Sequence, residues 1–146
     1  MMFKRLMGAL ALATAPVFAQ AGDTAAPKDA FVYFINLEDG QTVSSPIRIL
    51  FGLQGMGVAP AGTEKENTGH HHLLIDRPPM GQGEEDELDY GILADEHHMH
   101  FGGGQTEVLL DLDPGRHTLQ LVLGDLNHVP HSNPIMSEHI TITVTE

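Results

Sequence analysis

HITITVT, residues 139–145, is the stretch from which the fold is read. Ile140, Ile142 and Val144 alternate with threonines, so an extended chain here has one apolar face and one polar face. Branched side chains of this kind pack well on a pleated surface. The same pattern, looser in places, recurs in FVYFINL (31–37), IRILFGLQ (47–54), HHLLID (71–76), TEVLLDL (106–112) and HTLQLVLGD (117–125). Gly, Pro, Asn and Asp punctuate the gaps between these runs, and no segment carries a long 3.6-residue apolar period capped at both ends. The expectation is an all-β antiparallel sandwich of about seven strands with little helix.

The N-terminal end reads differently. MMFKR is basic, LMGALALATAPV is an apolar stretch too short to span a bilayer, and VFAQA offers small residues for a peptidase. Residues 1–19 therefore read as a signal peptide cleaved after Ala19, with Ala21 an alternative. Residues 20–30 (QAGDTAAPKDA) read as a flexible leader, and 31–146 as one domain. The expected location is periplasmic or secreted, without membrane insertion after cleavage.

The chain has no cysteine, which removes disulfides and thiolate metal sites. Its formal net charge of −13 repels nucleic acid and anionic lipid and attracts cations. A transition-metal site would have to use His, Met, carboxylate or backbone ligands. Two inserts interrupt the strand pattern, at 55–69 and 77–104, and the second is long enough to suggest a function. Its acidic run EEDELD, Glu84 to Asp89, reads as a solvated segment. It lacks the ligand spacing of a calcium loop.

The segment LDPGRHTLQLVLGD (112–125) resembles the corner and following strand of bacterial immunoglobulin-like domains. GHHHLLID (69–76) then resembles their strand C and HITITVT their closing strand G. FGLQGMGVAPAG, TGHHHLLID, HFGGGQTE, LGDLNHVPH and MSEHITITV together, in this order, resemble a bacterial exported family known as domain of unknown function 4399. That resemblance implies an exported sandwich and supplies no activity.

On the immunoglobulin-like assignment, the loops before strands C, E and G emerge at one pole. Strand C opens at Gly69 with His70, His71 and His72. EHHMHFGGG carries His97, His98 and His100 toward strand E, and the F–G connection GDLNHVPHSNP carries His128 and His131. Three clusters distant in sequence should converge, while His117 starts strand F at the other pole as a corner residue bonded to backbone. His139 is expected at an exposed strand edge. Alternation places His70, His72 and Leu74 on one face and His71, Leu73 and Ile75 on the other. The family's apolar residues at those latter positions imply that His71 leans inward. His98 and His100 repeat the spacing around Met99, and His128 and His131 flank the short Val129-Pro130 turn.

The candidate metal ligands are accordingly His70, His72, His98, His100, His128 and His131. Neutral imidazole suits copper first and zinc second, and no organic cofactor is expected. Met56, Met80, Met99 and Met136 offer thioethers that would suit copper(I), and Asp76, Asp125 and Glu107 are candidate acceptors fixing imidazole tautomers. The glycines at 102–104 let backbone approach a ligand closely, or simply make a turn.

Two other readings stand beside non-catalytic metal binding for buffering, delivery or sensing. One is a structural, adhesion or assembly module whose histidines form a hydrogen-bonded cluster at a surface for another exported protein or a glycan. The other is a metal-dependent hydrolase with an open coordination position. No G-x-S-x-G, H-E-x-x-H, Walker loop or dinucleotide fingerprint is present, so enzymatic signals are weak.

Overall fold

The computed structural model describes residues 22–83 and 87–146. The signal peptide read at 1–19 and the acidic residues Glu84 to Asp86 lie outside the described residues. Nine strands follow in chain order: β1 (Phe31–Phe34), β2 (Thr42–Ser44), β3 (Ile47–Gln54), β4 (Gly57–Val58), β5 (Thr68–Ile75), β6 (His98–His100), β7 (Glu107–Leu110), β8 (Gly115–Gly124) and β9 (Ile140–Thr145). No helix occurs among the described residues.

Two sheets form the expected sandwich. One has the order β1-β3-β7; the other runs β2-β9-β8-β5-β4, with β6 also paired to β5. This is the partition of an immunoglobulin-type domain, in which the chain crosses repeatedly between two layers. The expectation of antiparallel pairing needs one correction, since β2–β9 and β4–β5 are parallel. β2, β4 and β6 were not anticipated as strands; each is only two or three residues long, too short for a periodic signal.

Alternation assigns the faces. Ile140, Ile142 and Val144 of β9 join Leu119, Leu121 and Leu123 of β8, Leu73 and Ile75 of β5, and Ile47, Ile49 and Phe51 of β3 in the main core. The outer face of the larger sheet is not left to solvent. Leu74 and Val122 pack there with Met80, Leu88 and Ile92 of the long insert and with Met136 of the β8–β9 connection. Gln120 ties this cover down, accepting from the Met80 N–H at 2.8 Å and donating to the Ser137 carbonyl at 3.2 Å. β5 is therefore covered on both faces.

The segment from Gly22 to Ala30, expected as a flexible leader, makes specific contacts. Ala26 and Ala30 pack against the main core. The Thr24 hydroxyl donates to the Asp125 carboxylate at 2.5 Å, and the Thr24 carbonyl accepts from the Ser132 N–H at 3.0 Å. Its small, polar composition carries no strand or helix signal, so pairing with distant residues was invisible in sequence.

Candidate metal centre

β5 supplies the first two imidazoles. Its neighbours are β8 on one side, with His70 opposite Gly124 and His72 opposite Val122, and β6 on the other, with His72 opposite His100. His70, His72 and His100 thus project from one face of adjacent strands. The β8–β9 connection brings His128, whose backbone sits in the left-handed region at φ 68°. Few residues other than Gly adopt that conformation, and His is among those more often found there.

The four rings meet. Ring centroids lie 4.5 Å apart for His100–His128, 4.7 Å for His70–His72, 4.9 Å for His70–His128 and 5.2 Å for His72–His100. One nitrogen from each of the four can be chosen so that all lie within 4.8 Å of one another. His70 Nε2 and His128 Nδ1 are 3.0 Å apart. Two nitrogens on one ion at metal–nitrogen distances of about 2.0–2.1 Å lie roughly 3–4 Å apart, so modest ring rotation suffices to share an ion. The group can hold a metal ion.

Burial differs across the group. His70 and His72 are fully buried, His100 is exposed and His128 is half-buried, so one side of the site reaches solvent. Nδ1 of His70 and both ring nitrogens of His72 have no hydrogen-bond partner in the protein. Leaving a buried polar atom unpaired costs about 1–3 kcal/mol, which a bound ion would offset at the nitrogens it takes. Burial is also the main reason that His70 is pushed down from 6.5 to about 4; the neighbouring His128 and His100 add to this, and Asp125 opposes it. His72 is pushed down to about 2, by burial first and then by His70, His100 and His128. His100 is lowered by burial and by His128. Near neutral pH, His70, His72 and His100 therefore present lone pairs rather than charges.

Two glycines make room for the rings. A Cβ on Gly102 would meet the His100 ring, with Nε2 at 2.6 Å. A Cβ on Gly124 would meet His72, with Cε1 at 2.6 Å and Nδ1 at 3.0 Å. Gly102 belongs to the triple glycine already noticed as a place of close approach, whereas Gly124 looked like an ordinary strand end.

Two of the six candidate ligands are not brought into the group. His98 shares the outer face but lies opposite Leu74, two residues along β6 from His100, and its Nδ1 is held 2.8 Å from the Asp95 carboxylate. His131 is buried with both ring nitrogens unpartnered; the bridge between Gly124 and Pro130 turns the chain, and it falls outside the four. His71 faces the main core as expected, its ring centroid 5.2 Å from that of Phe51. It is not more buried than His70 and His72, which are fully buried on the other face. His117 bonds the Asp113 carbonyl at 2.9 Å and the Asp76 carboxylate at 2.8 Å, the corner role expected of it. His139 is half-buried rather than exposed, its Nε2 2.8 Å from the Arg77 carbonyl.

The methionines pack elsewhere. Met56 and Met99 lie against the main core, and Met80 and Met136 in the outer apolar cluster. Of the proposed tautomer-fixing acceptors, Asp76 serves His117, Glu107 pairs with Arg48 at 2.7 Å, and Asp125 lies in the loop that carries His128.

The family described as Domain of unknown function (DUF4399) matches residues 49–145, more than half of the chain. The chain belongs to this family. The matched span holds all four clustered histidines and both ring-cradling glycines, while β1, β2 and Thr24 precede it. No match was found among curated proteins or among solved structures.

Proposed function

We propose that this member of the family is an exported, non-catalytic transition-metal binding domain, with His70, His72, His100 and His128 as ligands. Copper(II) is the first choice of metal and zinc the second, and the role is buffering or delivery. The observation that carries this reading is the meeting of four imidazoles from three chain segments, with His70 and His72 buried and lacking protein partners for most of their ring nitrogens.

The donor chemistry supports the choice of metal. An all-nitrogen neutral set suits copper(II) and zinc, whereas calcium and magnesium require oxygen-rich cages. Placement of the methionines in apolar clusters favours copper(II) over copper(I). Four protein donors fill a tetrahedral set, and a hydrolytic centre typically keeps one position for water, so binding is favoured over hydrolysis.

The test is calorimetric titration of tag-free protein, stripped of metal, with copper(II) and with zinc near neutral pH. One-to-one binding, micromolar or tighter, is expected, with copper(II) the stronger. The double variant His70→Ala/His128→Ala should lose it. Equal, weak binding by wild type and variant would assign the cluster to architecture.

A further inference from the structure

Asp125, in the loop that brings His128 to the centre, carries a buried carboxylate, only 4% exposed. Its Oδ1 accepts from the N–H of Asn127 at 2.8 Å and of Val129 at 3.0 Å. Its own carbonyl accepts from the His128 N–H at 3.0 Å, and its N–H donates to the Val129 carbonyl at 2.8 Å. These bonds close a tight turn over residues 125–129, with His128 at its left-handed corner. Such a conformation costs about 1–3 kcal/mol and persists only where surrounding bonds impose it. The remaining oxygen, Oδ2, takes the Thr24 hydroxyl, from a segment that reaches the turn from the other end of the chain.

We propose that Asp125, held by Thr24, is the positioning residue of the four-histidine centre and its fixed compensating charge. The inference rests on the metal-binding reading. Four neutral imidazoles bring no charge to a dication. A buried carboxylate in the turn that carries one of them lowers the energy of the loaded site. Asp125 does not ligate, because both of its oxygens are engaged. It fixes where His128 stands, and Thr24 fixes Asp125. The segment around Thr24 is then a working part of the site.

The experiment compares wild type with Asp125→Asn, Asp125→Ala, Thr24→Val and Thr24→Ser. Each is followed by copper(II) affinity, by the paramagnetic resonance spectrum of the copper(II) form, and by imidazole nitrogen resonances of the metal-free protein. Asp125→Asn can keep the turn's bonds while removing the charge, and should weaken copper(II) by about tenfold. Asp125→Ala removes both and should weaken it by about a hundredfold with an altered spectrum. Thr24→Val should weaken binding by several-fold, and Thr24→Ser should restore it.

Affinity and spectra like those of wild type in Asp125→Asn, Asp125→Ala and Thr24→Val would overturn the proposal. If the Asp125 variants fail to fold, Thr24→Val decides, since it disturbs the carboxylate from outside the turn. If wild type binds no metal, the functional reading fails on its own. The positioning claim is then judged by the metal-free resonances: a shift of the His128 and His70 signals in Thr24→Val and the Asp125 variants supports it, and unchanged signals overturn it.

Discussion

His70 Nε2 lies 3.0 Å from His128 Nδ1, although the two residues are separated by 58 positions in the chain. Between two neutral imidazoles only one can donate across that gap, so one ring carries its proton toward the other. An ion bound by both nitrogens would displace this proton, leaving His70 protonated at its buried Nδ1. Metal binding would therefore replace a hydrogen bond and change a tautomer. In the metal-free protein, one of the two rings should show a proton at the shared nitrogen, and loading with diamagnetic zinc should remove it. Persistence of that signal in the zinc form would exclude the pair as joint ligands.

The ligand set predicts a sharp division among the histidines. His72→Ala and His100→Ala should each lower copper(II) affinity by about ten- to a thousandfold, in line with the cost of losing one donor. His98→Gln should leave it within about twofold, because its ring is engaged by Asp95 rather than by the group. Titration of the three variants checks this, and a large loss in His98→Gln would redraw the site.

The glycines beneath the rings should separate affinity from stability. Gly102→Ala presses on the exposed His100 ring, which can swing away, so binding should weaken by an order of magnitude with little change in folding. Gly124→Ala presses on the buried His72 and on the His128 backbone carbon, 3.3 Å away. It should cost about 1–3 kcal/mol of stability as well as metal. Denaturant midpoints measured beside metal titrations test both; a Gly102→Ala protein that binds normally would show the His100 ring to be dispensable.

Two opposite pH dependences are built into the domain. His70, His71 and His72 all sit below the ordinary 6.5, His71 at about 4 because of burial, which the Gln105 backbone only partly opposes. The stability they secure is present above 6.5 and is lost as pH falls toward 4, because the unfolded chain then binds protons that the fold refuses. Each contributes a slope of up to about 1.4 kcal/mol per pH unit in that window. His117 runs the other way: burial lowers it, but the Asp76 carboxylate and Asp113 carbonyl raise it further. Its contribution is present below 6.5 and fades as pH rises through its raised value. Denaturant midpoints of metal-stripped protein should therefore drop between pH 6.5 and 4.5, and His117→Gln should lower them by a near-constant amount there while flattening the fall above pH 6.5. A flat profile would mean that the β5 histidines accept protons in place.

His71 offers a stability test apart from metal. Neither of its ring nitrogens has a partner in hydrogen-bond geometry, although the Gln105 backbone comes near, and the ring lies against Phe51 in the core. His71→Leu removes two unpaired polar atoms at similar volume, and should raise stability by about 1 kcal/mol. A loss of that size in thermal or denaturant unfolding would reveal a bond from His71 to Gln105.

How far the sequence carried can be read from particular residues. β9 was legible because Ile140, Ile142 and Val144 state their period, and the face split of β5 was legible because alternation is a property of any strand. Convergence of His70, His72, His100 and His128 followed from strand order. His98 stands outside the group of four; spacing says which face a residue takes but not how far along the strand its neighbour lies, which depends on the β5–β6 register. The cover over the outer face of β5 was missed because Met80, Leu88, Ile92 and Met136, which pack on Leu74 and Val122, come from segments without period. Thr24 left no trace, since a hydroxyl in a polar segment has many uses.

β5 carries the main core on one face and two of the proposed metal ligands on the other, so occupancy of the centre and integrity of the fold would be one equilibrium. Ion at a hundredfold excess over its dissociation constant would add about 2.7 kcal/mol to stability. Where partly opened chains are removed by proteases, metal supply would then set how long each molecule survives. Abundance of this protein would follow availability of the ion without any dedicated sensor.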